Sequence, residues 1–103
     1  MTIASKTAAP SAAGAEPPIR VMLVDDSAAI RAAERRVLDA EPGITIVATA
    51  SNGQQAIDAL KRHEVEVVVL DIEMPVMDGI AAIPKLIAAD PDLKIIMAST
   101  LPL

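Results

Sequence analysis

Cysteine, tryptophan, tyrosine and phenylalanine are all missing from this 103-residue chain. Without cysteine there is no disulfide scaffold, no thiolate nucleophile and no Cys-type zinc site, which fits a reducing compartment. Without aromatics there is no platform on which bases could stack. Basic residues are in the minority, 9 Lys+Arg against 14 Asp+Glu for a formal charge of −5. Nucleic-acid binding by bulk charge, which needs clustered Lys and Arg, is therefore excluded. Only four glycines occur, and none follows the first apolar run in a Gly-x-Gly-x-x-Gly pattern, so a dinucleotide site is unsupported. Charge or proline breaks each apolar run before the length of about 18 residues that a membrane span needs.

What is present is a core-former. Apolar residues make up 52% of the chain and charged ones 22%, enough to fold one domain of ordinary size. Residues 1–18 are rich in Ala, Ser and Pro and lack the leucine-type segment of a secretory signal. They read as a disordered leader, with residues 19–103 as the folded unit and the cytoplasm as the expected location.

From Ile19 the character changes. Ile19-Arg20-Val21-Met22-Leu23-Val24 is an apolar run ending on Asp25-Asp26, the pattern of a strand buried on both faces. Ser27 can cap a helix, and Ile30, Ala33, Val37 and Leu38 recur at helical spacing, with Arg31, Glu34, Arg35 and Arg36 between them. Glu41-Pro42-Gly43 stops that helix. The pattern repeats with a strand from Ile44 to Ala50, a turn at Ser51-Asn52-Gly53, and a helix marked by Ala56, Ile57 and Leu60 that ends near Lys61-Arg62-His63. A third strand runs from Val65 to Leu70 and ends on Asp71. A third helix carries Ile80, Ile83, Leu86 and Ile87, with Pro84 expected to bend it. A fourth strand, Lys94-Ile95-Ile96-Met97-Ala98, ends on Ser99-Thr100.

Strand and helix alternate, so each crossover is long enough to make the sheet parallel: a doubly wound α/β fold. Functional groups in such folds gather outside the carboxyl ends of the strands. Here those ends carry Asp25, Asp26, Asp71 and Ser99. One Asp at a strand end is usually a cap or turn former; three at two ends call for a chemical explanation. Like charges crowded together raise one another's pKa, and a divalent cation resolves the conflict. Hard oxygen ligands point to Mg²⁺ rather than zinc. Beside the ion, an ionised Asp is a candidate nucleophile towards a phosphoryl group.

These residues carry a resemblance. Val24-Asp25-Asp26-Ser27, Asp71-Ile72-Glu73-Met74-Pro75-Val76-Met77-Asp78-Gly79 and Met97-Ala98-Ser99-Thr100 resemble the receiver domain of two-component response regulators. The Glu73-to-Gly79 stretch, with Ala48-Thr49-Ala50-Ser51-Asn52-Gly53, is especially similar to the receiver of chemotaxis methylesterases. The resemblance implies a flavodoxin-like sheet in the order 2-1-3-4. It implies that Asp71 accepts a phosphoryl group from a sensor histidine kinase. It also implies that Asp25, Asp26, Asp71 and the Glu73 backbone carbonyl hold Mg²⁺, with Asp25 acting through a bound water, and that Ser99 is the switch hydroxyl. A downstream effector domain or protein would read the phosphorylated state. Receivers also have a fifth strand ending in a lysine, and the chain stops at Leu103 before any such strand. An incomplete sheet is therefore expected, with the fourth strand as an open edge through which a homodimer could form.

Two other readings stay open. A pseudo-receiver that is never phosphorylated would serve only as an interaction module. A small phosphatase with an Asp nucleophile fits less well, because it wants Asp-x-Asp rather than adjacent aspartates. No Gly-x-Ser-x-Gly is present, so no hydrolase domain of the methylesterase type is encoded. His63, the single histidine, reads as a helix-terminal cation rather than a phosphotransfer residue. Met74 and Met77 read as packing, and the Arg31, Arg35, Arg36 group, balanced by Glu34 and Asp39, as a solvated helix face.

Overall fold

The computed structural model describes residues 17–72, 74 and 79–98. Nearly all of the expected leader, together with Glu73, Asp78, Ser99 and Thr100, lies outside the described residues. Among the described residues seven elements alternate: β1 (Ile19–Val24), α1 (Ala28–Asp39), β2 (Ile44–Ala50), α2 (Gly53–Leu60), β3 (Val67–Asp71), α3 (Gly79–Ala89) and β4 (Lys94–Ala98). The four strands are parallel and ordered β2-β1-β3-β4. This is the doubly wound, flavodoxin-like arrangement expected from the sequence.

Two boundaries differ from the periodicity. Strand β3 begins at Val67 rather than Val65. The backbone of Glu66 bridges its neighbours, donating to the Arg20 carbonyl and accepting from the Lys94 amide, while its side chain takes the Arg20 amide at 2.9 Å. Helix α2 ends at Leu60; Lys61, Arg62 and His63 form the turn beyond it, bonding back to the Asp58 and Ala59 carbonyls. His63 is exposed there.

The sheet has two unequal faces. On one, α2 and α3 bury Ala56, Ala59, Ala82 and Leu86 against Met22, Val24, Val68 and Leu70. Small side chains on α2 let the helix approach closely, and this is the larger core. On the other, α1 alone covers Val21, Leu23 and Ile46. The register between β1 and β2 slips between Val21 and Met22, so that Val21 pairs with Ile46 but Met22 pairs with Ala48. The extra residue reverses the facing of β2: Ile46 joins the α1 side, whereas Ala50 joins the larger core.

Helix α1 buries no residue fully. Ile30, Glu34 and Leu38, spaced by four, are its half-buried stripe, and Val37 stands 69% exposed beside them. Between α1 and the β4 side of the sheet lies a groove of about 470 Å³, lined by Ala33, Glu34, Val37, Leu38, Val69 and Ile96. Ile96 is 56% exposed at its edge. Among the described residues β4 pairs only with β3. Helix α3 runs unbroken through Pro84, whose ring faces solvent. No described helix is long and apolar enough to cross a membrane.

Candidate phosphoacceptor and metal site

The carboxyl ends of β1 and β3 lie side by side because Val24 pairs with Leu70. Asp25 therefore follows β1 directly beside Asp71, the last residue of β3. Asp25 is anchored on its other side by its own amide, which donates to the Ala50 carbonyl of β2 at 3.0 Å. Its Oδ1 accepts the Ser27 amide at 2.9 Å, and the Ser27 hydroxyl in turn accepts the Ile30 amide as the cap of α1. One short segment thus fixes a carboxylate and starts a helix. Asp25 and Asp71 are only 3% and 4% exposed, while Asp26 is open to solvent.

Asp25, Asp26 and Asp71 bring one carboxylate oxygen each to within 4.8 Å of one another. That spacing, with two members buried, suits a hard divalent cation held by oxygen alone: Mg²⁺ takes one or two carboxylates and keeps several waters. The donor set contains no nitrogen or sulfur, and the exposed Asp26 side leaves an opening for water and an anion.

Two groups at this rim depart from the reading of α1 as solvated on its charged side. Glu34 turns inward. It sits four residues from both Ile30 and Leu38, so the helical period carries it to the sheet, and its Oε1 is buried without a hydrogen-bond partner. Burial, and secondarily the charges of Asp25 and Asp71, hold its carboxyl above the ordinary value of 4.5. Arg31 is half-buried, and its guanidinium donates to the Asp25 carbonyl at 2.5 Å. Arg35 and Arg36 are exposed as expected, and Arg35 pairs with Asp39 across one turn at 3.6 Å. The signal for Glu34 was legible: it interrupts an apolar stripe at i+4 from Ile30.

Gly79 is the first residue of α3. Its amide donates to the Ile72 carbonyl at 2.8 Å, and a Cβ there would collide with the carbonyl oxygen of Asp71. It lets α3 start against the backbone of the candidate phosphoacceptor. Met74 is buried in the larger core, as a packing residue should be. Glu73 and Ser99, the remaining candidate site residues, lie outside the described residues.

A parallel β2-β1-β3-β4 sheet with an acidic cluster at its carboxyl rim defines a class of signalling fold, and comparison with known proteins places it. The family model of the response regulator receiver domain matches residues 21–101, and the chain belongs to that family. A protein-glutamate methylesterase/protein-glutamine glutaminase of Rhodospirillum rubrum is 55% identical over 103 residues, covering all of this chain and 26% of the relative. Its counterpart in Paramagnetospirillum magneticum is 60% identical over 85 residues, 82% of this chain and 22% of the relative. The chain thus spans about a quarter of the length of these relatives. Among solved structures, the response regulator domain of Thermotoga maritima CheB aligns with a TM-score of 0.74 at 37% identity, covering 82% of this chain and 62% of that one. A chain of the CheX–CheY–BeF3–Mg²⁺ complex from Borrelia burgdorferi aligns with a TM-score of 0.72 at 33% identity, covering 82% and 64%.

Proposed function

We propose that this chain is the phosphoryl-accepting receiver of a chemotaxis regulator of the methylesterase type, working with a sensor histidine kinase in the cytoplasm. The observation that carries the reading is the convergence of Asp25, Asp26 and Asp71 within 4.8 Å at the ends of two adjacent strands. Its kinship to methylesterases at 55% and 60% identity supplies the chemotaxis context. The similarity to a chain of a complex containing BeF3 and Mg²⁺, a phosphoryl mimic with its cation, supports the chemistry.

Asp71 is the acceptor in this reading. One of its carboxylate oxygens attacks phosphorus of the donor phosphohistidine, and an O–P bond forms as the N–P bond breaks. The bonding pair stays on the imidazole nitrogen, which takes a proton from water, and an acyl phosphate remains on Asp71. Asp26, Asp71 and the Glu73 carbonyl would hold Mg²⁺, with Asp25 reaching it through water. When bound, the ion screens the rim from the incoming anion and neutralises phosphoryl oxygens. Asp25 suits a water-mediated role, because Oδ1 already accepts the Ser27 amide. Ser99 would donate its hydroxyl to the new phosphoryl group, drawing the segment after β4 towards the rim. A phosphoryl group adds up to about two negative charges at one point, and an effector surface would read the resulting change.

The test is direct. The chain is incubated with Mg²⁺ and acetyl phosphate, and its mass is followed. An increase of one phosphoryl group that disappears in Asp71→Asn is the expected result. No uptake by the parent chain would favour an interaction module instead, and repeated turnover of a phosphate ester would favour a phosphatase.

A further inference from the structure

We infer that Glu34 is a proton-linked partner of the acidic rim, neutral while no cation is bound there and ionised, its proton released to solvent, once a divalent cation binds. Such linkage presupposes the metal site proposed for Asp25, Asp26 and Asp71, and it extends that site to a residue outside the ligand set. The placement follows from strand parity. Val21 and Leu23 of β1, and Val67 and Val69 of β3, belong to the α1 face of the sheet. Side chains alternate along a strand, so Asp25 and Asp71 emerge on that face too. Glu34 and Val69 line one groove, and Asp71 lies two residues beyond Val69, about 7 Å along the strand. Glu34 therefore stands within electrostatic reach of two carboxyl groups that are themselves buried, one pleat step removed from them.

The Glu34 Oε1 is buried with no hydrogen-bond partner. A neutral carboxyl costs far less to bury in that way than a carboxylate. The charged groups around it offer no compensation. Among the described residues β1 and β3 bring Asp25 and Asp71 to this face, with Asp26 at the exposed rim beside them. From β2 come only Ile44 and Ile46. From β4 come Ile96 and, at the far end of the face opposite Val67, the exposed Lys94. On α1 itself Arg31 is committed to the Asp25 carbonyl, Arg35 pairs with Asp39 and Arg36 is exposed. Burial first, and the two aspartates second, hold the Glu34 carboxyl above 4.5. A dication at the rim reverses the second cause. Over roughly 7–10 Å, even with substantial screening, its field favours the ionised form by about tenfold or more. Linkage is reciprocal, so the ionised acid strengthens cation binding by the same factor.

Two measurements on the full chain test the linkage. Carbon-13 NMR of the side-chain carboxyls, with Glu34→Gln to assign the signal, follows the Glu34 titration with and without saturating Mg²⁺. Its midpoint should lie above 4.5 without the ion and move to lower pH when Mg²⁺ is added. Calorimetry of Mg²⁺ binding, repeated in buffers of different ionisation enthalpy, counts the protons released. The parent should release more than Glu34→Gln over the range where Glu34 titrates. At about pH 8 the variant should bind Mg²⁺ about tenfold more weakly than the parent, and the gap should close as pH falls towards 4.5. Glu34→Leu, which removes the same charge with a different shape, should match Glu34→Gln, with circular dichroism confirming that each variant is folded. A Glu34 midpoint that ignores Mg²⁺, or equal affinity in the parent and Glu34→Gln at pH 8, overturns the linkage and leaves the metal site standing. A parent that binds no Mg²⁺ sinks the metal site and the linkage together.

Discussion

Glu34 is the residue whose placement costs the fold most visibly. Its Oε1 is buried and unpartnered, and burial together with Asp25 and Asp71 raises its pKa. For an acid shifted upward, the folded state prefers the protonated form. Its contribution is thus fully favourable below the unfolded value of 4.5 and is lost as pH rises through the raised folded value. Glu34→Gln should therefore raise the melting temperature at neutral pH, and the difference should vanish below about pH 4.5; thermal melts across that range check it. Gly79 makes the opposite demand. Its missing side chain admits the Asp71 carbonyl, so Gly79→Ala should cost about 1–3 kcal/mol by overpacking. Because the displaced atoms belong to Asp71, the same variant should also weaken Mg²⁺ binding, measured by calorimetry.

At the level of elements, α1 and α3 show how context overrides propensity. Helix α3 contains Pro84 in its interior, which removes the amide that would bond to the Ile80 carbonyl and crowds that carbonyl. Ile80 is 65% exposed, so water can take the freed acceptor, while Ala82 and Leu86 hold the helix to the core. Pro84→Ala should raise stability by about 2 kcal/mol. The recovered helical bond outweighs the extra entropy gained by the unfolded chain, and urea unfolding would measure the difference. Periodicity identified the three helices and four strands found among the described residues. It misjudged which side of α1 is solvated, because charged residues outnumber large apolar ones there. It also could not show that β2 reverses its facing at the bulge after Ile46.

Across the whole molecule the three carboxylates come from two strand ends far apart in sequence, so they meet only when the sheet forms. An ion that binds the folded state and not the unfolded one stabilises by mass action. Mg²⁺ at a hundred times its dissociation constant should add about 2.7 kcal/mol, reversed by chelation. Asp26→Asn should largely remove this gain, as it weakens a proposed ligand at an exposed position without opening the core. Calorimetric melts with and without Mg²⁺ provide the check. The asymmetry of the two sheet faces belongs to this scale as well. Two helices cover one face and α1 the other, so exposed apolar surface collects along the groove and β4.

The order of residues alone determined the alternation of strands and helices, and with it the parallel sheet, because hydrophobic period and turn residues are local properties. It also named Asp25, Asp26 and Asp71, since the rule that chemistry gathers at carboxyl strand ends turns a position in sequence into a position on a rim. Tertiary structure alone decided that Arg31 binds the Asp25 backbone carbonyl and that Gly79 abuts Asp71. Those facts depend on the angle and depth at which each helix meets the sheet. That docking is set by packing among residues distant in the chain, and no local pattern records it.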